Sequence, residues 1–278
     1  MSALLAVGAM GATGAARAWD ANLHGELGVA YDDNVANVRS GGPGRDDRRL
    51  QGAADLRVWL RPGPRTALVP SAGVEFAAFD RHRGLSQIRG AVQLRGLYRP
   101  GAAFLTPTLA LDVGAGAVET DRRLRDGGDA RVRVQVMQQL TTRLSARLSW
   151  QQQWRDGGVA VFDVSQRSAG ADFDWRPGDA WSLYLGYRRI WGDLVTVAPA
   201  PSAAALAAAR AVAADDVFDG DTALRLAAHG DVVTVGASRM FSPNWSLDLH
   251  LRHADAGADD LASRYRRTQS VLSVLWRY

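Results

Sequence analysis

Arginine is where this chain concentrates its chemistry. Arg89 and Arg95, Arg131 and Arg133, and Arg143 and Arg147 each lie an even number of positions apart, so in extended backbone both members of a pair project from one face. The planar guanidinium fork grips carboxylate or phosphate through paired hydrogen bonds. The acids Glu26, Glu75, Asp172, Asp174 and Asp248 fall in other segments. If the two sets line one cavity from different sectors, they set a field across it that orients solutes and ions. The competing arrangement is that the charges pair across the cavity and fill it.

Catalytic patterns are weak by comparison. Of the five histidines, His250 lies between Asp248 and Arg252, a spacing that brings Asp248 near the imidazole, and Asp80 lies close to His82. Neither pair is accompanied by a nucleophile motif or a second acid pair, so ion-paired or solvated histidines are expected, with no catalytic residue and no enzyme activity. Asp32-Asp33 and the acid-rich run from Asp215 to Asp221 offer carboxylates of the kind hard cations prefer, but the latter lacks the spaced ligands of a calcium loop. No metal and no cofactor are expected. Gly41-Gly42-Pro43-Gly44 is a loop tip without phosphate-loop context.

The elements that must carry the arginines are strands. Leu50, Gly52, Ala54, Leu56, Val58 and Leu60 alternate with Arg49, Gln51, Asp55 and Arg57; Ile88, Val92, Leu94 and Tyr98 alternate with Arg89, Gln93 and Arg95. Val132, Val134 and Val136 alternate with Arg131, Arg133 and Gln135, and Leu144, Leu148 and Trp150 with Arg143, Arg147 and Gln151. Further apolar faces run through Leu23 to Tyr31, Leu68 to Phe76, Leu105 to Val113, Trp181 to Tyr187, Val233 and Val235, Trp245 to Leu251, and Leu272 to Tyr278. A period of two with one apolar and one polar face makes about twelve segments long enough to cross a bilayer as tilted strands.

The connections alternate in length. Short turns at 61–64, 99–101, 140–142, 176–179 and 242–244, all but the Leu-Thr-Thr turn at 140–142 containing Pro, Gly or Asn, follow every second strand, and between them fall longer polar loops at 36–47, 80–86, 120–128, 155–166, 192–221 and 254–264. This asymmetry predicts an all-β fold: a transmembrane, antiparallel, up-and-down β-barrel of about twelve strands with short periplasmic turns and long extracellular loops. The alanine-rich run 202–214, behind Ser202 as an N-cap, predicts a short helix in the fifth long loop, either a surface excursion or a constriction folded into the barrel mouth.

Composition agrees. No apolar run beyond the N-terminus reaches the length of a helical span. The chain has no cysteine, which suits an oxidising compartment. Its net charge of +4 comes from arginine without any lysine, spread along the chain instead of in a basic block, which argues against a nucleic-acid partner. Residues 1–18 read as an export signal, with an apolar stretch over 3–12 and an A-x-A cleavage site at Ala16-Arg17-Ala18, leaving 19–278 as the barrel.

The segment Ser270-Val271-Leu272-Ser273-Val274-Leu275-Trp276-Arg277-Tyr278, alternating and ending on an aromatic, resembles the signal read by the barrel-assembly machinery of the outer membrane. Gly28-Val29-Ala30-Tyr31-Asp32-Asp33-Asn34-Val35 is similar to the first strand and loop of proteobacterial β-barrel porin families and of the barrel domain of surface lipoprotein assembly modifiers, and Ser263-Arg264-Tyr265-Arg266-Arg267 through Tyr278 is similar to how that second barrel closes. The resemblance implies the fold, a location in the outer membrane among lipid and lipopolysaccharide, and contact with the assembly machinery through the last strand. Three functions stay open: a porin-like channel passing small, anionic, hydrophilic solutes by diffusion; a non-conducting barrel with an exopolysaccharide or lipoprotein export partner; and an outer-membrane hydrolase.

Overall fold

The computed structural model describes residues 19–40, 42, 45–259 and 264–278; the export signal expected over 1–18 lies outside them. The strands are β1 (Trp19–Asp32), β2 (Asp47–Gly63), β3 (Thr66–Phe79), β4 (Gln87–Tyr98), β5 (Thr108–Thr120), β6 (Gly127–Gln139), β7 (Leu144–Arg155), β8 (Val164–Trp175), β9 (Trp181–Ala198), β10 (Ala211–Ala214), β11 (Thr222–Ser242), β12 (Trp245–Ala258) and β13 (Arg264–Arg277), with one short helix, α1 (Ala203–Ala208). All strands but β10 pair with sequential antiparallel neighbours, β9 pairs with β11, and β13 pairs with β1, so twelve strands close into a barrel. Closure leaves no open edge of unpaired N–H and C=O groups, the condition for a sheet to sit in hydrocarbon.

The two faces of the wall have opposite chemistry. On the outside Leu27, Val29, Leu56, Val74, Ile88, Val92, Leu111, Leu148, Leu185 and Leu249 are exposed, Val92 and Leu148 to 61%. Their sequence neighbours, of the other parity, point inward and are mostly polar. Tyr98, Trp175, Trp181, Phe241 and Trp245 are exposed beside the short turns, where amphipathic rings favour the membrane interface. No helix among the described residues is long and apolar enough to cross a membrane; the strands make the crossing, and an apolar band around a polar interior is the construction of an outer-membrane barrel.

The expected turn at Arg99-Pro100-Gly101 extends over 99–107, and Leu105, expected on a strand, lies within it. Pro107 has no N–H to give to the ladder, and β5 starts immediately after it. The helix expected over 202–214 is confined to α1, where the Ser202 hydroxyl accepts from the Ala205 N–H at 3.2 Å. Its second half becomes β10, because the top of β11 offers it a ladder of hydrogen bonds that an alanine helix with little to bury cannot match.

β9 and β11 also run past the wall. β8 pairs with β9 only as far as Gly192, while β9 continues to Ala198, paired with β11 up to Thr222. Gly192 sits where β9 parts from β8, at φ +133°, and a Cβ there would lie 2.1 Å from the Ser165 carbonyl oxygen; only glycine fits both. Residues 193–227 therefore form an extension that leans over the extracellular mouth, and the apolar cores lie there, above the lumen. Phe218, Val197, Ala36 and Val38 form one, Leu224, Leu226, Ala258 and Tyr265 a second, and Val161, Phe162 and Ala223 a third.

The wall's polarity predicts an asymmetric response to substitution. Val92→Arg, on the lipid face, should lower the unfolding free energy in lipid vesicles by about 2–4 kcal/mol, whereas Val92→Leu should leave it within about 0.5 kcal/mol; urea titration monitored by tryptophan fluorescence measures both.

Candidate functional site

Strand parity brings most of the predicted charges onto the inner wall, but the sheet register pairs them sideways instead of across the lumen. Arg89 (β4) donates to Asp129 (β6) from Nε and Nη2 at 2.6 and 2.7 Å and to Glu75 (β3) at 3.3 Å. Arg95 Nε donates to Asp112 of β5 at 2.5 Å, where Gln93 also donates at 2.8 Å. Arg147 reaches Asp174 on the adjoining β8 at 3.4 Å, and Asp172 lies two residues away on the same inner face. The expected basic sector opposed by acidic sectors is thus replaced by lateral pairs, since neighbouring inner positions on tilted strands are closer than opposite walls.

Glu26 accepts from the Ser273 hydroxyl at 2.7 Å. Asp248 accepts from the Tyr184 hydroxyl at 2.9 Å and lies 3.0 Å from His250 Nδ1, so the histidine is held inside a hydrogen-bonded cluster. Arg143 departs from the expectation: it is exposed in the turn before β7, its backbone N–H bonded to the Thr141 hydroxyl and its guanidinium to the Pro177 carbonyl, which keeps it at the periplasmic rim.

Two of the predicted arginines keep their charge uncompensated by contact. Arg131 donates to the Gln93 side-chain oxygen at 2.5 Å and Arg133 to that of Gln151 at 2.8 Å, and both partners are neutral amides. Parity also puts Arg49, Arg188, Arg252 and Arg267 on the inner wall, a group not singled out from the sequence although the alternation of β2, β9, β12 and β13 contains them. Arg252 is exposed although it belongs to the inner face, so the lumen at its level is wide enough for water. Arg49, Arg188 and Arg267 all lie within electrostatic reach of it.

Above this chamber the 193–227 extension is tied to the other loops. Asn37 donates to the Val195 carbonyl at 3.1 Å, the Thr196 hydroxyl donates to the Asn37 carbonyl at 2.6 Å, and the Val197 N–H to that of Ala36 at 3.2 Å. Arg45 pairs with Asp221 and stands over the Phe218 ring at 4.8 Å. Arg125, from the loop between β5 and β6, donates to Asp215 at 2.5 Å and also to Asp216, with Phe162 beneath it at 4.2 Å. The His82 ring packs on Phe218 at 4.8 Å, and its Nδ1 lies 3.1 Å from Asp47, not on Asp80. A lid thus spans from β9 and β11 to loops around the opposite wall. It also occupies the carboxylates that could have attracted a cation: Asp215, Asp216 and Asp221 go to arginines, and Asp32 to Arg267 and Gln269.

No family model matches the chain, and no curated protein sequence does. Solved structures match its fold. An outer membrane channel from Pseudomonas putida F1 superposes with a TM-score of 0.58 at 14% identity, over 93% of this chain and 95% of that one. The toluene transporter TodX from Pseudomonas putida has a TM-score of 0.46 at 8% identity over 95% of this chain and 90% of its own, and the NanC porin has a TM-score of 0.43 at 8% identity over 90% and 98%. The likeness is one of fold, and the resemblance of the chain ends to particular porin and assembly-modifier barrels stays at that level.

Arg125 is 9% and Asp215 6% exposed, so removing one partner strands a buried charge. Arg125→Ala should lower the local stability of the lid by about 3–5 kcal/mol, read as faster amide hydrogen exchange over residues 215–223 while exchange within the wall strands is unchanged.

Proposed function

We propose that the protein is an outer-membrane channel that passes small, anionic, hydrophilic solutes by diffusion. The observation that carries this reading is the uncompensated positive charge of the inner wall: Arg131 and Arg133 bond only to amides, and Arg188 and Arg252 add two further guanidiniums to the same lumen. In a narrow water-filled passage with low-dielectric walls such charge raises the local concentration of anions and repels cations. Glutamine side chains beside the arginines fix their orientation without neutralising them. The Pseudomonas putida channel of similar fold is in keeping with passage through such a wall, and the lid sets the width of the extracellular entrance.

Planar-bilayer recording of the refolded barrel tests this. The wild type should give a steady conductance with a reversal potential that shows anion preference, and replacing Arg131 and Arg133 together by Ser should reduce that preference severalfold. Arg125→Ala should raise the conductance by loosening the lid. A folded barrel that is electrically silent, or that prefers cations, would overturn the reading.

A further inference from the structure

We propose that the lumen beneath the lid contains a discrete binding station for a small oligoanion, a solute with two or more carboxylate, sulfate or phosphate groups, built from Arg49, Arg188, Arg252 and Arg267. It rests on the channel reading only in placing the station on a solute path.

The four side chains come from β2, β9, β12 and β13 and share the inner face. Asp32 organises one side of the group. It accepts from Arg267 Nε at 2.9 Å and Nη2 at 2.5 Å and from Gln269 at 2.5 Å, and it lies 3.6 Å from Arg49. The other acid near Arg49 is Asp47, whose oxygens are taken by the N–H groups of Arg48, Arg81 and His82. Four guanidiniums therefore face two carboxylates that are already saturated, and an excess of positive charge remains.

Among the described residues the guanidiniums of Arg188 and Arg252 have no hydrogen-bond or ion-pair partner. Each guanidinium carries five N–H donors in a planar fork, and a pair of such forks opening on a hydrated chamber is an acceptor site waiting for oxygens. β11 stands between β9 and β12, which separates the two backbones by about 10 Å at the usual strand spacing. One small monoanion cannot engage both forks and the Asp32-anchored pair, whereas a solute with several separated anionic groups can. The fold has already gathered the like charges, so binding incurs little reorganisation. Arg267 Nη1 also lies 3.4 Å from Asn37 Oδ1 in the loop that docks on the lid, so an occupant of the station sits directly under the extracellular cover.

Citrate is a suitable probe, with acetate as the monovalent comparison, in isothermal titration calorimetry of the refolded barrel in detergent at low ionic strength. The expected result is saturable binding of one citrate per barrel and none of acetate. Replacing Arg188 and Arg252 together by Gln should weaken citrate binding by at least about tenfold, as expected for losing charge-assisted hydrogen bonds, while Arg131→Gln should change it less than about threefold. The heat-shifted gel migration of a closed barrel serves as the folding check, and the single variants Arg188→Gln and Arg252→Gln stand in if the double variant does not fold. Absence of saturable citrate binding by the wild type, or unchanged binding by folded variants, would overturn the station. Parallel planar-bilayer recordings separate the two readings: an anion-selective barrel that does not bind citrate rejects the station and keeps the channel, and a citrate-binding barrel that carries no current does the reverse.

Discussion

Backbone hydrogen bonding in hydrocarbon is the constraint on which everything else in this molecule depends. A strand in the bilayer core cannot leave its N–H and C=O groups unpaired, so the sheet must close, here through the ladder of β13 on β1. Closure divides the side chains by parity: leucine and valine dominate outside and arginine, glutamine and aspartate inside, with the Arg189–Asp231 pair an outward-facing exception. The charged interior is therefore not decoration on a scaffold. The interior is where most such residues can stay hydrated, and their mutual distances are imposed by strand register.

Register then decides which charges cancel. Arg89, Arg95 and Arg147 meet acids on neighbouring strands, and such pairs stiffen the wall while contributing little field to the lumen. Arg131, Arg133, Arg188 and Arg252 meet none, and their charge is left facing water. The wall thus combines a neutralised framework with an exposed set of guanidiniums. The lid follows the same logic at the mouth. Where β9 and β11 outrun β8, Gly192 permits the bend, Phe218, Leu224 and Leu226 supply apolar cover, and Arg45 and Arg125 tie the acid-rich tip to the opposite loops.

The alternation along β2, β4, β6 and β7 was enough to read the inner and outer faces, because parity is a local property of extended backbone and survives folding. Turn chemistry similarly revealed the two ends of the barrel. Pairing was not legible, since Asp112 and Asp129 become partners of Arg95 and Arg89 only through a register that sequence parity leaves undetermined. Nor could Arg188 and Arg252 be grouped, because they sit on strands 64 residues apart in the chain's numbering that meet only once β11 is inserted between them. Arg143 obeyed the parity rule on paper and escaped it in the turn, where the Thr141 hydroxyl holds its backbone. In the lid, the helix behind Ser202 is legible in the sequence, but β10 and the paired extension of β9 and β11 are not, because a strand that pairs above the membrane carries no lipid-facing alternation to announce it.

Hydration and anion preference of the lumen at the level of Arg252 can be read directly from thiol chemistry. The chain has no cysteine, so one introduced thiol reports cleanly. Thr234 lies opposite Arg252 in the β11–β12 ladder, on the inner face, and Val235 faces lipid. The measurement is the modification rate of Thr234→Cys by methanethiosulfonate reagents of similar size and opposite charge, with Val235→Cys as the reference. A hydrated, anion-favouring lumen requires that Thr234→Cys reacts, faster with the sulfonate than with the trimethylammonium reagent, while Val235→Cys stays unreactive in the bilayer. An unreactive Thr234→Cys, or one that reacts faster with the cation, would contradict it.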